Sequence, residues 1–396
     1  MATFKTISSA DIKTTKTVLN QLIDFVEEDV SGSTSRKSYQ VFVTSSGGAA
    51  ITSSLFQTVF DQNYTLQTAN ELFDITYGVF SGSSAVSDAS TGIDTNGKIL
   101  FMSQSVMMRE KINIYRQFAQ TLLGNAESRF KAPFSSTSTI DNIDSALFLC
   151  FKRLFVRDGI KRETFAMRFF QSCSTINPGE TRDNIFGQTA AHPSSASVIF
   201  TDVGAASSIE RSQFGGDVGN IVLSSDTTKT VGLMFYQKGV AVLDLRRALD
   251  DTQIMSGTIS SVGATATTTH SASFIPNFVN SASMDDIVRH VATERFGTGS
   301  NTFLTFQNNT KINSTLVFCR ATADEFNYSS NPTYTDSEGR VLVIDESQQG
   351  QEKSFSFVTT VGLYDANEEL LATAKLSRPV EKNDEKDLTF RVRLDF

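Results

Sequence analysis

A chain of 396 residues is long enough for two or three domains and a large buried core. Its net charge of −8, with a pI near 5.1, argues against a protein that coats nucleic-acid phosphates. Three cysteines, Cys150, Cys173 and Cys319, are odd in number and too far apart for a disulfide or zinc scaffold. The 48 Ser and 44 Thr make up nearly a quarter of the chain; with 32 Phe, no Trp and only 6 Pro they point to a Ser/Thr-rich, Phe-rich, largely β-structured soluble protein. The opening MATFKTISSADIKTTK has neither an apolar stretch nor a cleavage site, so no secretory signal is expected. The strongly apolar stretch Val231 to Leu245 is broken by Gly, Gln, Lys and Asp, short of the ~18 apolar residues of a membrane span. A reducing cytosol is therefore expected, with the cysteines as small buried apolar groups.

In chain order, Ser8 and Asp11 make a capping-box-like start, with Asp in place of Glu or Gln. Ile12, Leu19, Leu22, Ile23 and Val26 recur at helical spacing and predict a helix that ends at the acidic Glu27, Glu28 and Asp29. SYQVFV (38–43) reads as a strand, Ile51 to Phe60 as a second apolar run, and SGSSAVSDASTG (81–92) as a polar loop. Met108 to Leu123 is predicted helical, with Ile112, Tyr115, Ala119, Leu122 and Leu123 on one face and a stop at Gly124-Asn125. A further helix is predicted between Asp144 and Val156, burying Leu147, Cys150, Phe151, Leu154 and Phe155 and turning Lys152, Arg153 and Arg157 outward. TFAMRFF (164–170) alternates Phe165, Met167 and Phe169 as a strand does.

From 172 to 282 short apolar runs (SVIF 197–200, VGLMFY 231–236, VAVLDL 240–245) lie between turn signals and read as strands with long loops. Among these loops is the low-complexity VGATATTTHSAS (262–273). A short helix is predicted from Ser283 to Phe296, capped by Ser283, with Asp285 and Asp286 at its N-terminus and Ile287, Val288 and Val291 inward. FLTF (303–306), STLVFCRA (314–321), RVLVID (340–345), FSFVTTVGLYD (355–365), LLATAKL (370–376) and LTFRVRLDF (388–396) read as strands. The last alternates strictly, with Leu388, Phe390, Val392, Leu394 and Phe396 on one face. The expected fold class is α+β, mainly β: a helical N-terminal half with mixed strands, then a β-rich, sandwich-like C-terminal part. Its expected domains are 1–171 (α+β), 172–313 (a Ser/Thr/Gly-rich β domain with long loops) and 314–396 (a β module).

Catalytic patterns are missing. His192, His270 and His290 have no nucleophile elbow near any Ser. GGDVGN (215–220) fits neither phosphate-loop spacing and reads as a bend. The paired carboxylates Asp250-Asp251, Asp285-Asp286 and Glu368-Glu369 read as a loop, a helix N-terminus and a hairpin turn. No enzyme activity, cofactor or metal is expected. The densest basic stretch, KRLFVRDGIKRETFAMR (152–168), supplies Lys152, Arg153, Arg157, Lys161 and Arg162 as candidate interface residues; Arg391 and Arg393 on the wet face of the last strand join them.

The piece TVGLYDANEELLATAKLSRPVEK encodes two strands joined by the polar turn Asp365 to Glu369, with Pro379 stopping the second from continuing regularly. It resembles virion proteins of contractile-tailed, cyanophage-like bacteriophages, which carry an xVGLYDxxxxLLAxAKLxxPxxK stretch before a final strand. It is also similar to the VGLYxxxGxLIAVG hairpin of phage tail-collar fibre proteins, where that hairpin lies nearer the N-terminus. TANELFDITYG (68–78) and FKRLFVRDGIKRETFAMR (151–168) resemble stretches of structural proteins of those phages. The resemblance implies a virion structural protein, a baseplate wedge or tail component that self-associates and docks other phage tail or baseplate proteins. It would be made in the host bacterial cytoplasm and would end in the virion; charge and hydropathy give no membrane partner and argue against nucleic acid as one. The alternatives are a receptor- or glycan-binding tail protein, or a neck- or capsid-associated one.

Overall fold

The structure, a computed structural model, describes residues 4–31, 33–45, 48–82, 106–170, 197–207, 210–248, 252–255, 270–273, 284–296, 300–329, 331–339, 341 and 355–396. Strand accounts for 52% of the described residues and helix for 15%, which overturns the expected helical N-terminal half. In chain order the strands begin with β1 (Ile12–Val26), β2 (Arg36–Ser45), β3 (Gly48–Phe60) and β4 (Glu71–Val79). Helix α1 (Val106–Leu123) precedes β5 (Phe130–Lys131), β6 (Asn142–Ile143), β7 (Ser145–Phe151), β8 (Ala166–Phe170) and β9 (Ser197–Thr201). Next come β10 (Glu210–Ser212), β11 (Gly216–Leu223), β12 (Asp226–Phe235), β13 (Val240–Asp244), β14 (Thr252–Met255) and β15 (His270–Ser273). Helix α2 (Met284–His290) runs into a π-turn, Val291–Arg295, and the chain ends in β16 (Thr302–Ala321), β17 (Phe355–Tyr364), β18 (Leu370–Asn383) and β19 (Leu388–Asp395). Thirteen of these strands belong to one large sheet.

Two predicted helices are strands, for different reasons. At the N-terminus the cap forms: Ser8 Oγ accepts from the Ala10 amide over a single 3-10 turn, Ser9–Asp11. The chain then extends, because Thr14, Thr15, Thr17 and Val18 are β-branched and stiff at χ1, which favours a pleated strand over a helix. Between Asp144 and Val156 the apolar run SALFLCF is continuous, so it satisfies helical spacing and strand spacing alike. As β7 it is buried on both faces, with Leu147, Leu149 and Phe151 in one apolar cluster and Ala146 and Phe148 in the other. Only Arg153–Val156 coils, for one turn.

The chain divides into two compact units. The larger, Asn20–Thr310, holds the sheet in the order β16, β8, β9, β11, β12, β13, β7, β4, β3, β2. Antiparallel pairing sets β7 between β4 and β13, with Phe148 opposite both Thr76 and Val242. The cluster on one face gathers Phe25, Phe73, Phe151, Phe303 and Phe306, joined by Ile287, Val288 and Val291 of the predicted 283–296 helix. The other cluster holds Tyr115, Ala119 and Leu122 of α1 against Phe130, Phe148 and Phe235. α1 sits close because Gly78 of β4 has no side chain: a Cβ there would lie 2.8 Å from the Tyr115 amide nitrogen. The Tyr115 hydroxyl donates to the Ile143 carbonyl (2.7 Å) and accepts from the Phe130 amide (3.0 Å), fixing the β5–β6 ribbon beneath it.

The smaller unit joins Met1–Leu19 to Lys311–Phe396. Here β16 pairs with β19 from Ser314↔Asp395 to Ala321↔Leu388, and β17 with β18. The β17–β18 ladder jumps from Val358↔Val380 to Thr360↔Lys375, so Pro379 lies in an interruption of the pairing. β19 alternates along its length: Val392 is buried, Leu388, Phe390 and Leu394 half-buried, and Thr389, Arg391, Arg393 and Asp395 exposed. Phe396 departs from the expected inward face and is 73% exposed. Residues 83–92 of the predicted polar loop, residues 262–269, Ser283 and most of RVLVID lie outside the described residues.

Candidate assembly surfaces

The basic segment 152–168 divides into cations held by the fold and cations left at the surface. Lys152 bridges Asp74 (2.8 Å) and Glu71 (2.9 Å), tying the end of β7 to β4. Burial alone would lower its pKa; the bonds to the two carboxylates outweigh that and hold it above the ordinary lysine value. Arg162 pairs with Asp217 at 2.6 Å and lies 5.8 Å from the Tyr236 ring centroid. Beside it Asp202 is buried and accepts from the Tyr236 hydroxyl (2.8 Å) and from the amides of Glu163 (2.8 Å) and Phe165 (3.0 Å). Burial still raises Asp202 above the usual carboxylate range. Glu163 in turn accepts from the amides of Gly204 and Ala206, so this knot pins the 163–165 turn to the loop after β9. Arg168 reaches the buried Glu27 at 3.6 Å.

Arg153, Arg157 and Lys161 stay exposed. Among the described residues neither Arg153 nor Arg157 forms an ion pair, and Lys161 Nζ donates to Gln307 Oε1 at 3.0 Å. Leu154, expected in the core, is 51% exposed beside Arg153, because the helix that would have turned it inward is a single turn. The 153–161 segment thus presents three exposed cations, with the exposed Leu154 adjoining Arg153.

In the smaller unit Arg391 is exposed with no ion pair among the described residues. Arg393 donates to Asp395 (2.8 Å) and Ser314 (3.3 Å). Hydrogen bonds from Ser314 and Arg393 hold the Asp395 carboxyl below its usual range. The hairpin turn forms where expected: Asp365 Oδ1 accepts from the amides of Asn367 and Glu369 (2.8 Å each), and Glu368 takes φ 63°. Glu368 and Glu369 are exposed and make no ion pair among the described residues. Around this acidic tip stand Tyr364 (46% exposed), Leu370 and Leu371, with the Phe4 ring edge-on to Tyr364 at 5.0 Å.

The apolar balance of this unit is unusual. Among its described residues only Val317, Ala321, Tyr334, Leu363 and Val392 are buried hydrophobics, whereas eleven large hydrophobics are exposed. Ile12, Val18 and Leu19 of β1 are in that exposed set, although helical spacing puts Ile12 and Leu19 on an inward stripe. Isolated exposed apolar residues are ordinary, but a unit whose exposed large hydrophobics outnumber its buried ones carries a surface suited to burial by a partner.

Other chemistry can be placed briefly. Among the described residues no cluster of three or more His, Cys, Asp or Glu side chains could hold a metal. No helix among them is long and apolar enough to cross a membrane. Burial pushes the Cys150 thiol up to about 12, far from a reactive thiolate. GGDVGN does bend, at Gly216 with φ 78°, and its Gly219 leaves room for the Tyr236 hydroxyl. Cys173, His192 and Asp250-Asp251 lie outside the described residues, as do the side chains of Asp286, His270 and His290. The chain matches no family model, no curated protein and no solved structure.

Proposed function

We propose that the chain is a structural assembly protein that self-associates and docks neighbouring proteins, of the phage tail or baseplate type that its C-terminal hairpin resembles. The observation that carries the reading is the smaller unit, with five buried hydrophobics against eleven large exposed ones among its described residues. A surface of that kind gains stability when a partner covers it, at about 25 cal/mol per Å² of apolar area removed from water. The exposed cations Arg153, Arg157 and Lys161 give such contacts direction, since opposite charge selects the partner and the register.

The test has two arms. Sedimentation velocity of the purified chain over a concentration series is expected to reveal oligomers. Mass spectrometry of purified phage particles from the source system is expected to recover the chain at a fixed ratio to the tail proteins. A chain that stays monomeric and is absent from particles would overturn the proposal.

A further inference from the structure

We propose that the acidic hairpin tip of one copy docks onto the basic, leucine-bearing turn of a neighbouring copy. The inference rests on the assembly reading above and names its contact. The tip presents Glu368 and Glu369 beside Leu370 and Leu371; the turn presents Arg153 and Arg157 beside Leu154. Each surface therefore has two like charges adjoining exposed leucine, with the signs opposed. On both surfaces these charges lack an ion pair among the described residues, so neither side must first break an internal bridge.

The same charges fix the kind of symmetry. Tip against tip would set carboxylates against carboxylates, and turn against turn would set guanidiniums against guanidiniums. The favourable contact joins different surfaces on the two copies. Such a head-to-tail contact closes into a ring when its rotation permits and otherwise extends as a filament. Its backbone is prepared for docking: Asp365 ties down the turn through two amides, so the tip loses little freedom when it is buried. The contact is also charge-directed, so added salt weakens it.

The experiment uses the full chain and three variants: Arg153→Glu/Arg157→Glu, Glu368→Arg/Glu369→Arg, and the fourfold combination. Sedimentation velocity at ~50 mM and ~500 mM salt reads self-association. Each double variant is expected to weaken it by about tenfold or more. The fourfold variant, with both signs exchanged, is expected to regain it, and an equimolar mixture of the two double variants is expected to associate where neither does alone. That mixture also guards against misfolding, because unfolded partners cannot rescue each other. Wild-type assembly that both double variants retain would overturn this contact and leave the assembly reading standing. A wild-type chain that is monomeric at every concentration would overturn this contact, and the assembly reading falls with it only if the chain is also absent from particles.

Discussion

Phe25 and Leu22 lie three residues apart on β1, and the strand and helix readings of this segment assign them opposite fates. In a helix Leu22 belongs to the inward stripe with Leu19, Ile23 and Val26, and Phe25 falls outside it. In the strand Phe25 is 2% exposed and Leu22 is 58% exposed. The Phe25 ring lies among five others, at 5.3 Å from Phe155, 5.8 Å from Phe73, 6.0 Å from Phe306 and 6.5 Å from Phe151 and Phe303. Removing a buried Phe side chain costs about 3–5 kcal/mol through lost transfer energy and the cavity left behind. The aromatic neighbours place Phe25→Ala in the upper half of that range, about 4 kcal/mol. That is a large share of a net stability of about 5–15 kcal/mol. At roughly 2–3 °C per kcal/mol for a unit this large, Tm falls by about 8–12 °C. Leu22→Ala is expected to stay within about 0.5 kcal/mol. The chain has no Trp, so far-UV circular dichroism with heat and with urea is the appropriate assay. If Leu22→Ala destabilises more than Phe25→Ala, the strand assignment and the core built around it are wrong.

Other outcomes follow from single sites. The Asp29 carboxyl is half-buried, and its pKa is pushed up to about 6, first by burial and then by Asp61 and Glu28, against a bond from the Val26 amide. The folded state therefore holds this proton more tightly than the unfolded state, whose value is near 3.8, and stability falls as pH rises between those two values. Asp29→Asn should accordingly stabilise by about 1 kcal/mol at pH 7–8 after discounting for solvent, and by nothing near pH 4; an equal gain at both pH values would contradict this. Gly232→Ala would set a Cβ 2.3 Å from the Val242 carbonyl oxygen, so β12 and β13 must part, at a cost of about 1–3 kcal/mol in chemical denaturation. Truncation after Asp387 removes β19 and Val392 from a cluster whose buried members are Val317, Leu363 and Val392. Limited proteolysis should then cut the smaller unit while fragments of 20–310 persist; unchanged resistance beyond 314 would count against a β module closed by this strand.

What the sequence reveals depends on whether one face of a segment is wet. β8 and β19 each have one buried and one wetter face, and their period-two pattern is plain in Phe165, Met167, Phe169 and in Leu388 to Leu394. Helix α1 likewise shows its inward Tyr115, Ala119 and Leu122. β7 is buried on both faces, and seven contiguous residues fit either period; its length, typical of a strand, was the better guide. β1 misleads in the opposite way. Its residues from Ile12 to Leu22 are exposed, so apolar spacing there reports no core, and the run of β-branched Thr and Val was the informative signal. The basic segment was visible as composition, but composition does not separate Lys152 and Arg162, held by carboxylates distant in sequence, from Arg153 and Arg157, which are free of ion pairs among the described residues. The acidic tip was legible as a turn with Tyr364, Leu370 and Leu371 beside it; the Phe4 ring that packs on Tyr364 comes from more than 300 residues away, which local pattern cannot supply.

The position of β16 next to β1 governs how the chain can be made. The Glu27 amide donates to the Asn301 carbonyl, a bond between residues at opposite ends of the larger unit. β1 leaves the ribosome about 275 residues before β16 does, an interval of roughly 15–55 s at ordinary elongation rates. Throughout that interval a long β-prone segment waits without its sheet neighbour, with Phe25 lacking the Phe303 and Phe306 rings that cover it in the fold. The nascent chain is thus most exposed to aggregation before its last quarter is synthesised, and its yield in a host should rise with slower, cooler expression and with a chaperone that shields extended apolar segments during synthesis.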